Sequence, residues 1–321
     1  MYSGESLYDG ESQSLPHYLG LFGKLHRFRG LAPHKPILLL AVLDEVERGN
    51  IPTNLIELTP ELVASFRAYW RTLVLEKGFV ERIANPFRFL VQDGFWTLVR
   101  DGIAVPTAEL GDNPTLRQLT TEIDGAQLAP DLWNLLRDET SRNALRAHLL
   151  KTYFGISAAD LAISLPANPL EDAIERLKLE AQAKFRTNVV KETANETGYY
   201  LRHSLFPRVV KSLYLDSCAV CDLNVKTDTG SGLVDAAHIL PFHLFHNDDP
   251  RNGLALCKNH HWGFDAGWYS FDSQRRVIVS SRLQNWLGFV SVNAPLRPTT
   301  DPDCAPALNA LEWHRTHVFK R

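Results

Sequence analysis

The sequence predicts an α+β protein of two domains, a mixed α/β domain over residues 17–155 and a metal-stapled unit over 197–321. Three observations lead there. The chain has 321 residues, more than the roughly 100–200 that usually share one core. Helix-type and strand-type apolar patterns are mixed through the first half. The second half carries two ligand pairs of equal spacing, Cys218-x2-Cys221 and Cys257-x2-His260.

In chain order, residues 1–16 are rich in Ser, Gly and Glu and predict a disordered tail. Pro36 to Arg48 predicts a helix, with Pro in its first turn and Gly49-Asn50 as its stop. Thr59-Pro60-Glu61 opens a second helix, Thr59 as N-cap and Pro60 at N1. Its apolar residues Leu62, Val63, Phe66, Tyr69, Trp70 and Leu73 recur at helical spacing. Phe87 to Val91 and Phe95 to Val99, joined by Gln92-Asp93-Gly94, predict a β-hairpin. A helix over Asp138 to Tyr153 closes the domain. Residues 156–196 predict a helical linker, with Leu170 to Arg186 as its polar helix, and the second domain follows from 197.

Composition narrows the class. No apolar run reaches the ~18 residues of a membrane span, and the N-terminus shows no signal-peptide pattern. A cytoplasmic protein without membrane contact is the expectation. Net charge is −3, from 34 Lys+Arg against 37 Asp+Glu. That excludes a wholesale polyanion binder and leaves room for a local basic face. Four cysteines are too few for a disulfide scaffold in a chain this long.

Three of those cysteines fall in one informative stretch. Cys218 and Cys221 have the spacing of a knuckle presenting two thiolates to one ion, and Cys257 and His260 repeat it with one imidazole. Such a Cys₃His set suits a closed, tetrahedral structural Zn²⁺ site. About 35 residues, Asp222 to Leu256, lie between the pairs, and they hold His238 and Asn252. A purely structural zinc ribbon would explain the four ligands but not those two residues.

The ordered set Cys218/Cys221, Ala237-His238-Ile239, Asn252-Gly253, Leu256-Cys257 to His261 and Phe264-Asp265 resembles the HNH (ββα-metal) endonuclease family over roughly residues 208–272. The resemblance implies a restriction-type nuclease that hydrolyses DNA phosphodiesters. In it His238 is the general base, Asn252 holds the base-bearing segment or offers an oxygen to the metal, and His261 binds a catalytic Mg²⁺ or Mn²⁺. Asp265, one helical turn on, is a further ligand or an anchor. Many relatives carry Asp or His directly before the base. Here Ala237 stands there, and Asp235, two residues back on the same strand face, is the substitute ligand to consider.

The first domain, through Leu31-Ala-Pro-His-Lys-Pro, Leu58-Thr-Pro-Glu-Leu, Asn85-Pro-Phe-Arg-Phe-Leu and Asp93-Gly-Phe-Trp, is similar to the N-terminal domain of McrA-like, modification-dependent restriction endonucleases. Some relatives of that domain read phosphorothioated DNA through a small apolar pocket. The resemblance places Asn85, Pro86 and Phe87 at a pocket for modified DNA, phosphorothioated or methylated; Arg251 is a candidate phosphate contact in the second domain. One strand cut per HNH site calls for a homodimer on duplex DNA. The rival reading is a catalytically inactive zinc-containing nucleic-acid-binding or regulatory protein. It gives no reason for His238, Asn252 and His261 to stand together beside the zinc ligands.

Overall fold

The computed structural model describes residues 14–75, 78–111, 113–162, 164–180, 185, 196–228, 232–285 and 288–321. The chain divides into two compact units, Met1–Leu170 with Ala194–Tyr200 and Glu171–Thr193 with Leu201–Arg321. No helix among the described residues is long and apolar enough to cross a membrane.

The first unit opens with α1 (Leu15–Phe22). Leu15 and Pro16, assigned to the tail by sequence, are therefore helical, with Pro16 in the first turn as its fixed φ favours; residues 1–13 lie outside the described residues. Next comes α2 (His34–Glu47), in which every residue from Ile37 to Leu43 is at most 2% exposed. A helix apolar on all sides belongs in the middle of its domain. Accordingly α3 (Pro60–Leu73), α4 (Ala84–Phe89), α6 (Pro130–Arg137) and α7 (Glu139–Phe154) all pack on α2. Thr59 caps α3 as its sequence predicts, its hydroxyl accepting from the Leu62 amide at 3.3 Å.

A three-stranded antiparallel sheet flanks these helices, in the order β2 (Ile103–Ala104), β1 (Trp96–Arg100), β3 (Gly125–Leu128). The capping-boxed α5 (Leu116–Glu122) precedes β3, and α8 (Ala158–Ala162) follows α7.

The hairpin expected at 87–99 does not form. Its first half is α4 followed by a 3₁₀ turn over Leu90–Asp93, and Gly94, at φ 82°, ends that turn instead of reversing a hairpin. The physical reason is spacing. Ile83, Phe87 and Leu90, at helical intervals, are all fully buried, and Pro86 suits a first helical turn. The second half is the strand β1, paired with β2 and β3. The Trp96 indole then donates to the Phe87 carbonyl at 2.9 Å.

Of the predicted linker helix, α9 (Pro169–Glu180) is seen; residues 181–184, 186–195 and their share of that reading lie outside the described residues. In α10 (Glu196–Leu213), the first turn counts with the first unit and Leu201 onward with the second. The second unit continues with β4 (Val234–His238), α11 (Phe242–Phe245), β5 (Gly253–Cys257) and α12 (Lys258–Asp265). Strands β4 and β5 are antiparallel with Val234 opposite Cys257 and His238 opposite Gly253. Gly253 is required there. A Cβ would meet Val210 Cγ2 at 2.3 Å and Phe206 Cζ at 3.0 Å, so α10 can press against the strand pair only where a side chain is missing.

A second ribbon, β6 (Tyr269–Phe271) with β7 (Val277–Val279), and α13 (Leu308–His317) complete the unit. His314 of α13 stacks on Phe264 with ring centroids 3.7 Å apart. Its Nε2 donates to the Phe264 carbonyl at 3.0 Å, and the Ser270 hydroxyl pairs with Nδ1 at 2.9 Å. Burial pushes this histidine down to about 4, the Phe264 carbonyl only partly opposing it.

A pH dependence follows. Below pH 6.5 the unfolded chain takes up a proton that folded His314 refuses until about pH 4, so stability falls as pH drops through that window, by up to ~3 kcal/mol. Urea midpoints between pH 4 and 7 should fall more steeply with acid in the native protein than in a His314→Leu variant. Parallel curves for the two would contradict the assignment.

Candidate active site

The metal cluster is assembled from two chain reversals. Cys218 and Cys221 sit on a knuckle closed by the Cys218 carbonyl accepting from the Asp222 amide at 3.0 Å, with Asp222 at φ 59°. Cys257 ends β5 and is the N-cap of α12, so His260 lies in the first turn of that helix. The four donor atoms all lie within 4.8 Å of one another, with Cys257 Sγ 3.1 Å and Cys218 Sγ 3.4 Å from His260 Nδ1. A tetrahedral Zn²⁺ with bonds of about 2.0–2.3 Å needs ligand separations near ~3.5–3.8 Å, so the donor set fits.

The electrostatics suit a cation at this point. Burial and the neighbouring sulfurs push Cys221 up to about 12 and raise Cys257 as well, whereas at Cys218 burial is outweighed by the His260 and backbone hydrogen bonds, which bring the thiol down to about 6, so one of the three sulfurs carries the charge. Three thiolates this close ionise together only with a positive ion between them. His260 is further held by its Nε2, which donates to the Phe289 carbonyl at 2.6 Å and aims Nδ1 at the sulfurs.

The strand pair, followed directly by α12, brings most of the sequence-derived candidates together. His238, last residue of β4, stacks on Phe206 of α10 at 4.0 Å and 7°. Its Nε2 is 2.9 Å from Asp248 Oδ1. Asp248 lies in the loop between the strands, and its side chain is only 5% exposed. Burial alone would raise its carboxyl; hydrogen bonds from His203 and His238 outweigh that and hold it below the ordinary carboxylate range. Sequence reasoning missed Asp248. Nothing in a ten-residue separation across an irregular loop marks it as the partner of the base.

Asn252 is fully buried. Its Oδ1 accepts from the Leu240 amide at 2.8 Å, and its Nδ2 donates to the carbonyls of Leu240 at 3.2 Å and Asn247 at 3.0 Å. These bonds tie Asn252 to the segment that follows His238, with its oxygen engaged by backbone.

His261 stands on α12 between two carboxylates. Its Nδ1 is 3.4 Å from Asp235 Oδ2 and its Nε2 is 3.3 Å from Asp265 Oδ2. The two ring nitrogens point in diverging directions, so His261, Asp235 and Asp265 cannot all bind one ion. Asp235 is also bridged through both oxygens by Lys258 at 2.7 and 2.6 Å. Burial would raise the Asp235 carboxyl, and the Lys258 and His261 bonds more than reverse it.

Arg251 Nε and Nη2 both donate to Asp249, at 3.0 and 2.7 Å. Phe87 is fully buried and packs edge-on against Trp96, so it supports the first unit from inside. Asn85 and Pro86 do line a cavity of about 530 Å³ in that unit, together with His34, Phe79 and Phe89. The Asn85 Oδ1 is buried there without a hydrogen-bond partner.

Two antiparallel strands and a following helix, with a histidine at the end of the first strand and a histidine–carboxylate pair on the helix, make a ββα unit beside the Cys₃His cluster. Residues 218–272 match the family model of the HNH endonucleases, HNH_2. Among solved structures the chain is similar to a modification-dependent restriction endonuclease, TagI, at 26% identity and TM-score 0.31 over 40% of each chain. It is also similar to ScoMcrA, a type IV phosphorothioation-dependent restriction endonuclease, at 25% identity and TM-score 0.36 over 52% of this chain and 29% of that one. The chain therefore spans less than half the length of either. No curated protein matches it.

Stripping zinc with a chelator is expected to unfold the second unit, and metal analysis of the untreated protein to return about one zinc per chain. Cys257→Ala should lose that zinc and express poorly. A protein that is metal-free yet equally heat-stable would refute the structural role.

Proposed function

We propose that this protein is a restriction-type, metal-dependent DNA endonuclease whose base is His238, and that its first unit limits cutting to modified DNA. The observation that carries the nuclease reading is the bond from His238 to Asp248. An ionised carboxylate only accepts, so the proton shared with Asp248 sits on Nε2 and Nδ1 keeps a lone pair. That is the tautomer a general base needs. Water attacking the scissile phosphorus gives its proton to Nδ1, and the imidazolium formed stays paired with Asp248. Phe206 beneath the ring prevents it from tilting.

A bound Mg²⁺ or Mn²⁺ would neutralise charge building on the phosphoryl oxygens and on the leaving oxygen. His261 Nε2 and Asp265 are the residues to hold it, with waters and the phosphate as remaining ligands. Asp235 then serves His261 from behind, accepting at Nδ1 and fixing the ring. With Ala237 before the base, no ligand comes from that position. Asn252 anchors Leu240 and Asn247 on either side of the intervening loop, keeping Asp248 against the base.

For modified DNA, the support is the resemblance of the first domain and the cavity at Asn85 and Pro86. About 530 Å³ is of the size that takes a small ligand. Its walls combine apolar residues (Ala32, Phe79, Pro86, Phe89) with the cationic Arg27 and Lys35 and with Asn85. Cations beside an apolar wall suit an anionic group that is less hydrated than an ordinary phosphate oxygen. Two chains acting on one duplex would cut both strands.

Plasmid that is phosphorothioated, cytosine-methylated or unmodified, incubated with Mg²⁺ or Mn²⁺, tests both parts. Cutting confined to a modified plasmid is expected; equal cutting of all three would remove the reader, and none at all, with zinc bound, would favour the inactive binding protein. His238→Ala should lower the rate by at least about 100-fold. Asp248→Asn, which presents an N–H to the base and favours the wrong tautomer, should cost a similar factor with zinc content unchanged.

A further inference from the structure

Asp248 holds a second imidazole. His203, on α10, places Nδ1 3.3 Å from Asp248 Oδ2, while His238 Nε2 takes Oδ1 at 2.9 Å. Each oxygen of a nearly buried carboxylate is thus spent on a ring nitrogen. Phe206 follows His203 by three residues, which puts both on one face of α10. One helix face therefore meets the base twice, through Phe206 under its ring and through His203 at the far side of its carboxylate. Phe242 closes the group, with its centroid 4.6 Å from His203 and 5.2 Å from His238.

We infer that His203 is a positioning residue for the nuclease reaction, donating from Nδ1 to Asp248 Oδ2 so that Oδ1 stays aimed at His238 Nε2. This rests on His238 being the base. The physical need is plain. The last torsion of an aspartate is broad, with no staggered well to hold it, and a carboxylate bonded through one oxygen can swing about that bond. A buried Oδ2 without a donor would also carry an uncompensated desolvation cost, relieved by rotating Asp248 towards solvent or the next donor. Either movement withdraws the acceptor that keeps the proton on Nε2. His203 removes the freedom by occupying the second oxygen, and its ring is itself braced on Phe242. The N–H, not the imidazole as such, is the working part.

Two substitutions separate the donor from the ring. His203→Asn keeps an N–H where Nδ1 stands and discards the ring; His203→Phe keeps a ring on Phe242 and discards the donor. Single-turnover cleavage of whichever plasmid the native protein cuts, at saturating protein, reads the chemical step, and the affinity for the same DNA is measured without divalent metal. His203→Phe is expected to cut about 10-fold more slowly with unchanged affinity, and His203→Asn to remain within about 3-fold of the native rate. Equal slowing in both variants, or a native rate in His203→Phe, overturns the inference. So does a loss confined to DNA affinity, which would make His203 a phosphate contact. His238→Ala is run alongside: if it cuts at the native rate, the base assignment fails first, whereas an inactive His238→Ala beside a fully active His203→Phe fails this inference alone.

Should no plasmid be cut, ¹⁵N spectra of the histidine rings decide. The expectation is His238 protonated at Nε2 in the native protein and in His203→Asn, and a mixture of tautomers in His203→Phe. An unchanged Nε2 tautomer in all three overturns the inference.

Discussion

The second unit depends on the Cys₃His cluster. Its catalytic strands are five residues each and form a two-stranded sheet, an arrangement that is marginal in water without further support. The cluster supplies support at the point where it sets geometry. It ties the Cys218–Cys221 knuckle to the end of β5 and to the first turn of α12. His260 and His261 are neighbours, so fixing one imidazole on the sulfurs fixes the direction of the next. The Phe289 carbonyl on His260 and the Asp235 carboxylate on His261 then set the two rings by the same device, an acceptor behind each.

Around the base the cost runs the other way. Asp248 and Asn252 are polar residues at 8% and 0% exposure, an expense that only complete pairing offsets. Asn252 meets it with three bonds to backbone and Asp248 with two imidazoles. The loop Asn247–Asn252 is irregular but held from within, and it delivers the carboxylate to His238. Gly253 adds the last condition, since any side chain there would push Phe206 and Val210 of α10 away from the strand pair.

Much of this was legible in the residues. The cluster, the strand ending in His238 and the helix carrying His261 are visible because ligand spacing and strand–helix order are local properties. So are α2, α3 and α7, whose apolar residues and end signals sit within a few residues of each other. The hairpin at 87–99 misled because a Gly after Asp is a turn signal in either context, and the burial of Ile83, Phe87 and Leu90 on one side of a helix won. Phe87 went with it, from pocket wall to core.

By itself, then, the sequence determined which groups are available: a Cys₃His set at metal-ligand spacing, a histidine closing a strand, a second histidine on the following helix, and a helix-centred first domain. Tertiary structure decided the partners. It brought Asp248 and His203, ten residues after and thirty-five before His238, together beside the His238 ring. It turned Asn252 to the backbone, Arg251 to Asp249, and the two nitrogens of His261 to different carboxylates. The reason is that spacing along a helix, strand or knuckle is set by backbone geometry, whereas a side chain's partner across a loop is set by which donors and acceptors the packed chain leaves within reach.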